Sequence, residues 1–105
     1  MPDAREQKYL DMIAQFPESP LGHFSLGKYY VEMGRFADAI PSLERCIQEE
    51  PDWAAAMIAL GDAFAGAGRA QDAVAVWTRA RDSALAQSHA NLAEDIEERL
   101  KDLQG

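Results

Sequence analysis

Few side chains in this sequence stand at spacings that could do chemistry. Its two histidines, His23 and His89, are far apart, and neither has a second metal-ligating residue at the short spacing a zinc site needs. The single cysteine, Cys46, rules out an internal disulfide. No Lys, His or Arg is arranged to lower its thiol pKa, so Cys46 reads as a small core residue. Gly66-Ala67-Gly68 begins like a phosphate-cradling loop, but the third glycine slot of G-x-G-x-x-G is Gln71. Neither a P-loop nor a G-x-S-x-G elbow occurs. Acidic residues cluster at Glu49, Glu50 and Asp52 and at Glu94, Asp95, Glu97 and Glu98. They fall on predicted helix ends and outer faces, where a carboxylate is ordinarily solvated. Tyr29, Tyr30 and Trp77 could stack on bases, but no basic groove accompanies them. The expectation is therefore no catalytic residue, no cofactor and no metal: neither an enzyme nor a nucleic-acid binder.

Charge points the same way. The net charge is −8, with no run of Lys or Arg. Such a chain is repelled by phosphate backbones and by anionic membrane surfaces. No apolar stretch approaches the roughly 20 residues of a membrane span. The N-terminal MPDAREQKYLDM has no apolar signal core, and with one cysteine the chain reads as cytoplasmic. With 48% apolar and 27% charged residues it should fold rather than stay disordered. At 105 residues it should do so as one domain. Alanine is abundant and Val, Ile and Thr are scarce, so the composition leans helical.

The elements that would position any site come in copies. LGKYYVEMGRFADAI, from Leu26 to Ile40, returns as LGDAFAGAGRAQDAV, from Leu60 to Val74, 34 residues later. Leu26/Leu60, Gly27/Gly61, Gly34/Gly68, Arg35/Arg69, Asp38/Asp72 and Ala39/Ala73 are identical pairs. A fixed period of this length is the signature of stacked repeats. Ser19-Pro20 starts a helix carrying Leu26, Tyr30 and Met33, and Gly34 stops it. A second helix runs from about Ala37 with Ile40, Leu43, Cys46 and Ile47 as its apolar stripe, and Pro41 lies near its first turn. After Pro51, with Asp52 as cap, the pair repeats, its last helix running to about Leu85. Gly27 and Gly61 sit mid-helix at a cost of about 1 kcal/mol each against Ala, which predicts a close approach of neighbouring backbones.

The period extends outward. Pro17, Ile13 and Tyr9 stand 34 before Pro51, Ile47 and Leu43. Residues 3–16 therefore look like the second helix of an incomplete repeat. Past residue 85 the pattern lapses: Glu94 and Asp95 fall where Leu and Gly are due. Leu92, Ile96, Leu100 and Leu103 instead form one stripe on a charged helix, supported by the pairs Asp95 with Arg99 and Glu97 with Lys101. A polar-faced end helix suits a capping role.

These spacings resemble the tetratricopeptide repeat, W-x2-L-G-x2-Y…A-x3-F…P. The first copy reads His23-x2-Leu26-Gly27-x2-Tyr30…Ala39-x3-Leu43…Pro51, and the second Met57-x2-Leu60-Gly61-x2-Phe64…Ala73-x3-Trp77. The Trp slot differs in both, and Leu85 replaces the closing Pro in the second. The resemblance implies an all-α, right-handed solenoid of antiparallel helix pairs, with about six helices in one domain. Its parts would be a half-repeat or capping helix over 3–17, repeats over 20–53 and 54–87, and a capping helix over 88–103.

The first helix of each repeat carries a second stripe beyond the one that packs inside the repeat. It comprises Leu21, Phe24, Lys28 and Val31, with Ala55, Ile58, Asp62 and Ala65 as counterparts. In the family this stripe lines the concave face, where peptides or partner helices bind. The resemblance thus implies a protein-interaction scaffold with a mostly apolar groove. Several Lys, Arg and Asn residues clamp acidic chaperone tails in some members; here only Lys28 is present, so no such clamp is expected. Helix 3–16 or helix 89–103 folding over the stripe would make it ordinary core. A homodimer formed through the terminal helices or the groove is the alternative use.

Overall fold

The computed structural model describes residues 1–104. Six helices follow in order: α1 (Ala4–Gln15), α2 (Leu21–Glu32), α3 (Phe36–Glu49), α4 (Ala54–Gly66), α5 (Ala70–Ala86) and α6 (Ala90–Gln104). No strand occurs among the described residues. Each helix packs on the next in sequence, and α2 also meets α4. The core runs along this stack, from Leu26 and Leu43 through Met57, Leu60 and Trp77 to Ile96 and Leu100.

The repeated columns have separate physical reasons. Gly34 and Gly68 have φ of 73° and 79°, the left-handed conformation that ends α2 and α4. The following amides close the turn: Arg35 N–H donates to the Tyr30 carbonyl and Arg69 N–H to that of Phe64, both at 2.8 Å. These arginines then fold back over the same residues, 4.5 Å from the Tyr30 ring centroid and 4.6 Å from that of Phe64. Each also pairs with the aspartate three residues on, Arg35 with Asp38 at 3.0 Å and Arg69 with Asp72 at 2.8 Å. One arginine thus joins the end of the first helix to the start of the second, twice.

The mid-helix glycines admit side chains, not backbones. A Cβ on Gly27 would lie 2.5 Å from Leu43 Cγ, and one on Gly61 would overlap the Trp77 indole. The expected backbone approach is replaced by a knob from the second helix, seated in a hole on the first.

Helix ends differ in detail from the sequence reading. α2 begins at Leu21, one residue beyond Pro20, and Ser19 Oγ accepts the Leu21 N–H at 3.3 Å. Asp52 does not cap α4. Residues 50–53 form a turn in which Trp53 N–H donates to the Glu50 carbonyl at 3.1 Å, leaving Trp53 at the N-cap position without a side-chain cap bond. Pro41 lies in the second turn of α3, exposed, where it forfeits one helical hydrogen bond.

Past residue 85 the repeat is stretched. The buried set Ala93, Ile96 and Leu100 answers Met57, Leu60 and Phe64, but 36 residues on. α5 has 17 residues where α3 has 14, and the turn after it is one residue shorter. That net insertion of two moved the Leu slot from Glu94 to Ile96. Ser88, at φ 62°, makes the turn that glycine makes elsewhere, with His89 N–H bonded to the Ala84 carbonyl at 2.7 Å.

α1 is held by a polar cluster. Asp3 caps the helix by accepting the Glu6 N–H at 2.8 Å and also takes the Tyr29 O–H. Glu6 is buried, accepting from Tyr30 O–H at 2.6 Å and from Arg35 at 3.1 Å. The Tyr30 hydrogen bond, followed by Arg35, holds the Glu6 carboxyl below its ordinary pKa against the opposing effect of burial. Burial and the Glu6 carboxylate push the Tyr30 phenol up to about 12.

Candidate functional site

The residues with chemical potential are placed for packing. Cys46 is fully buried, with Sγ 3.4 Å from the Ser42 carbonyl and 3.6 Å from that of Pro20. Burial pushes its thiol up to about 11, so the nucleophilic thiolate is suppressed. His23 is half-buried beside Pro41, Ser42 and Arg45, and burial, then Arg45, lowers its pKa and favours the neutral ring. No group of three His, Cys, Asp or Glu side chains among the described residues converges at a metal-binding geometry.

The second stripe lies on neighbouring helices, since α2 meets α4 directly. None of its eight residues is buried. Leu21, Lys28 and Ala55 are exposed, and Phe24, Val31, Ile58, Asp62 and Ala65 are half-buried. Leu21 retains 57% of its surface, as much as Phe16 and Met33 elsewhere on the chain. Lys28 extends over Phe24, its Nζ 5.5 Å from the ring centroid. Asp62 is tied across to α6, accepting from Arg99 at 2.9 Å, and Arg99 also holds Asp95 at 2.7 Å. This charged bridge joins the α4 stripe to α6 and leaves Ala55 exposed.

The seam on α6 is spent differently. Ile96 is fully buried and Leu100 nearly so, within the core that includes Trp77 and Ala84 of α5. Of the two pairs expected along α6, Asp95 and Arg99 meet, whereas Glu97 and Lys101 form no ion pair among the described residues.

Three residues outside the predicted set shape the surface. Trp53 stacks on Phe24 with ring centroids 4.6 Å apart and planes at 31°. The two stand 29 residues apart, off the repeat period, so column matching does not pair them. Arg99 and Leu92 belong to α6, where the two-residue stretch hides their register. Glu6 did carry a signal, because Asp3-x-x-Glu6 has capping-box spacing, although its carboxylate turns to Tyr30 and Arg35 instead of the helix start.

A profile described as Tetratricopeptide repeat matches residues 24–93. The solution structure of a protein from Bordetella parapertussis is similar to this chain, with a TM-score of 0.85 and 25% identity, over 98% of this chain and 90% of that one. No curated protein matches the sequence.

Proposed function

Because the chain belongs to the tetratricopeptide repeat family, we propose that it is a protein-interaction module whose working surface is the α2–α4 stripe. That surface is Leu21, Phe24, Lys28 and Val31 with Ala55, Ile58, Asp62 and Ala65. Repeats of this family generally serve as interaction scaffolds, and in this reading the chain presents residues and catalyses nothing. The observation that carries the reading is the Phe24–Trp53 stack. It is a half-exposed aromatic pair that joins α2 to the turn leading into α4. Large, rigid aromatic area of this kind is what interfaces use as anchors. An amphipathic helix or an extended apolar peptide fits such a stripe.

Self-association through the terminal seam is disfavoured, because Ile96 and Leu100 already pack inside the chain. The test is binding by Ala55→Arg, which adds bulk at an exposed position and spares the core. Loss of partner binding with an unchanged melting temperature is the expected result. Full binding by that variant and by Phe24→Glu would place the working surface elsewhere.

A further inference from the structure

Beside the Phe24–Trp53 stack, a cleft of ≈ 600 Å³ opens between the start of α4 and the start of α6. Trp53, Ala55 and Leu92 give it an apolar lining, Glu50 and Asp52 bring carboxylates to it, and Gln87 and His89 complete its polar wall. No Lys or Arg lines it, and neither carboxylate has an ion-pair partner among the described residues. The 50–53 turn, closed by the Trp53 N–H on the Glu50 carbonyl, sets the backbone of Glu50 and Asp52 beside Trp53. On α6, Glu94, Glu97, Glu98 and Asp102 are also exposed and form no ion pair among the described residues, in a chain of net charge −8.

We propose that this cleft docks a basic amphipathic segment of a partner protein. An apolar side chain of the segment sits against Trp53 and Leu92, and its Lys or Arg residues meet Glu50 and Asp52. The inference rests on the reading of the α2–α4 stripe as an interaction surface, which the Phe24–Trp53 stack joins to the cleft. Electrostatic complementarity supplies the choice of sign: an acidic segment is repelled both by the rim and by the whole protein, and a basic one is steered to it.

The probes are three synthetic amphipathic peptides with one apolar stripe and a polar face of Lys, Gln or Glu. Binding is followed by amide and indole chemical shifts of the full chain. The Lys peptide is expected to shift the Trp53 indole, Ala55 and Leu92 signals. Its affinity should fall about fivefold between low and high salt, and about tenfold against the exposed double variant Glu50→Lys, Asp52→Lys. The Glu peptide should bind at least about tenfold more weakly than the Lys peptide. Equal binding of the Lys and Gln peptides at the cleft overturns the charge assignment and leaves the apolar surface standing. Lys-peptide shifts confined to other helices, or an affinity unchanged by the double variant, overturn the cleft. No binding by any peptide overturns the cleft and counts against the stripe as well.

Discussion

The Trp77 indole occupies the space that a side chain on Gly61 would need, and its Nε1–H donates to the Ile58 carbonyl at 3.1 Å. The same relationship holds between Leu43 and Gly27 one repeat earlier. Pairing the smallest residue on one helix with a large one on its partner lets the two helices pack closely.

Gly61→Ala is therefore expected to destabilise the fold despite the better helix propensity of Ala. The propensity gain is about 1 kcal/mol, whereas overpacking costs about 1–3 kcal/mol. The cost is expected near the upper end, because a hydrogen bond fixes the indole. Gly27→Ala should cost less, since Leu43 has rotamers to use. Urea unfolding of both variants checks the order.

The two kinds of left-handed turn predict opposite outcomes. Gly68→Ala forces a Cβ into φ 79° and should cost about 1–2 kcal/mol. Ser88 already bears that strain at φ 62°, so Ser88→Gly should be neutral or stabilising by up to about 1 kcal/mol. Thermal melts of the two variants, moving in opposite directions, are the check.

These turns show how much the sequence discloses. Gly34 and Gly68 announce their turns by residue type, and the 34-residue period places five of the helices, α1 to α5. The inward stripe of α6, Leu92, Ile96, Leu100 and Leu103, was legible, but its correspondence to the repeat columns was not, because two extra residues in the α5 region moved Ile96 into the slot where the period expects Glu94. The stripe could be listed from helical spacing alone. Its aromatic anchor could not, because Trp53 reaches Phe24 from a turn residue whose direction depends on the 50–53 backbone. The Asp3–Tyr29 and Glu6–Tyr30–Arg35 contacts join residues distant in sequence, and no local pattern encodes them.

Acid should loosen α1 first. Glu6 is held below its ordinary pKa by Tyr30 and then Arg35, and Asp3 by Tyr29 and then the Glu6 N–H. Carboxyls depressed in the folded state contribute stability that is complete above about pH 4–5 and lost as pH falls through their folded values. Comparing urea midpoints at pH 7 and pH 3, the wild type should lose more than Glu6→Gln, which should already be weaker at pH 7. An equal loss in both would show that Glu6 does not carry the acid sensitivity.

Cys46 should be inert in the folded chain. With the thiol buried and pushed up to about 11, a thiol-reactive dye at pH 8 should label it only as fast as the protein opens. Labelling should become immediate in denaturant. Rapid labelling without denaturant would mean that α2 and α3 separate readily at their Pro20–Cys46 contact.

A comparative capture from an extract of the cells that make the protein tests whether the α2–α4 face is the working surface. Wild type, Ala55→Arg, Phe24→Glu and a control at an exposed position of α3, Glu44→Arg, would each be immobilised, and the retained proteins quantified. At least one protein should be retained by the wild type and by Glu44→Arg, and lost from both face variants while they remain folded. Retention that is indifferent to Ala55→Arg and Phe24→Glu, or lost with Glu44→Arg instead, would contradict that assignment.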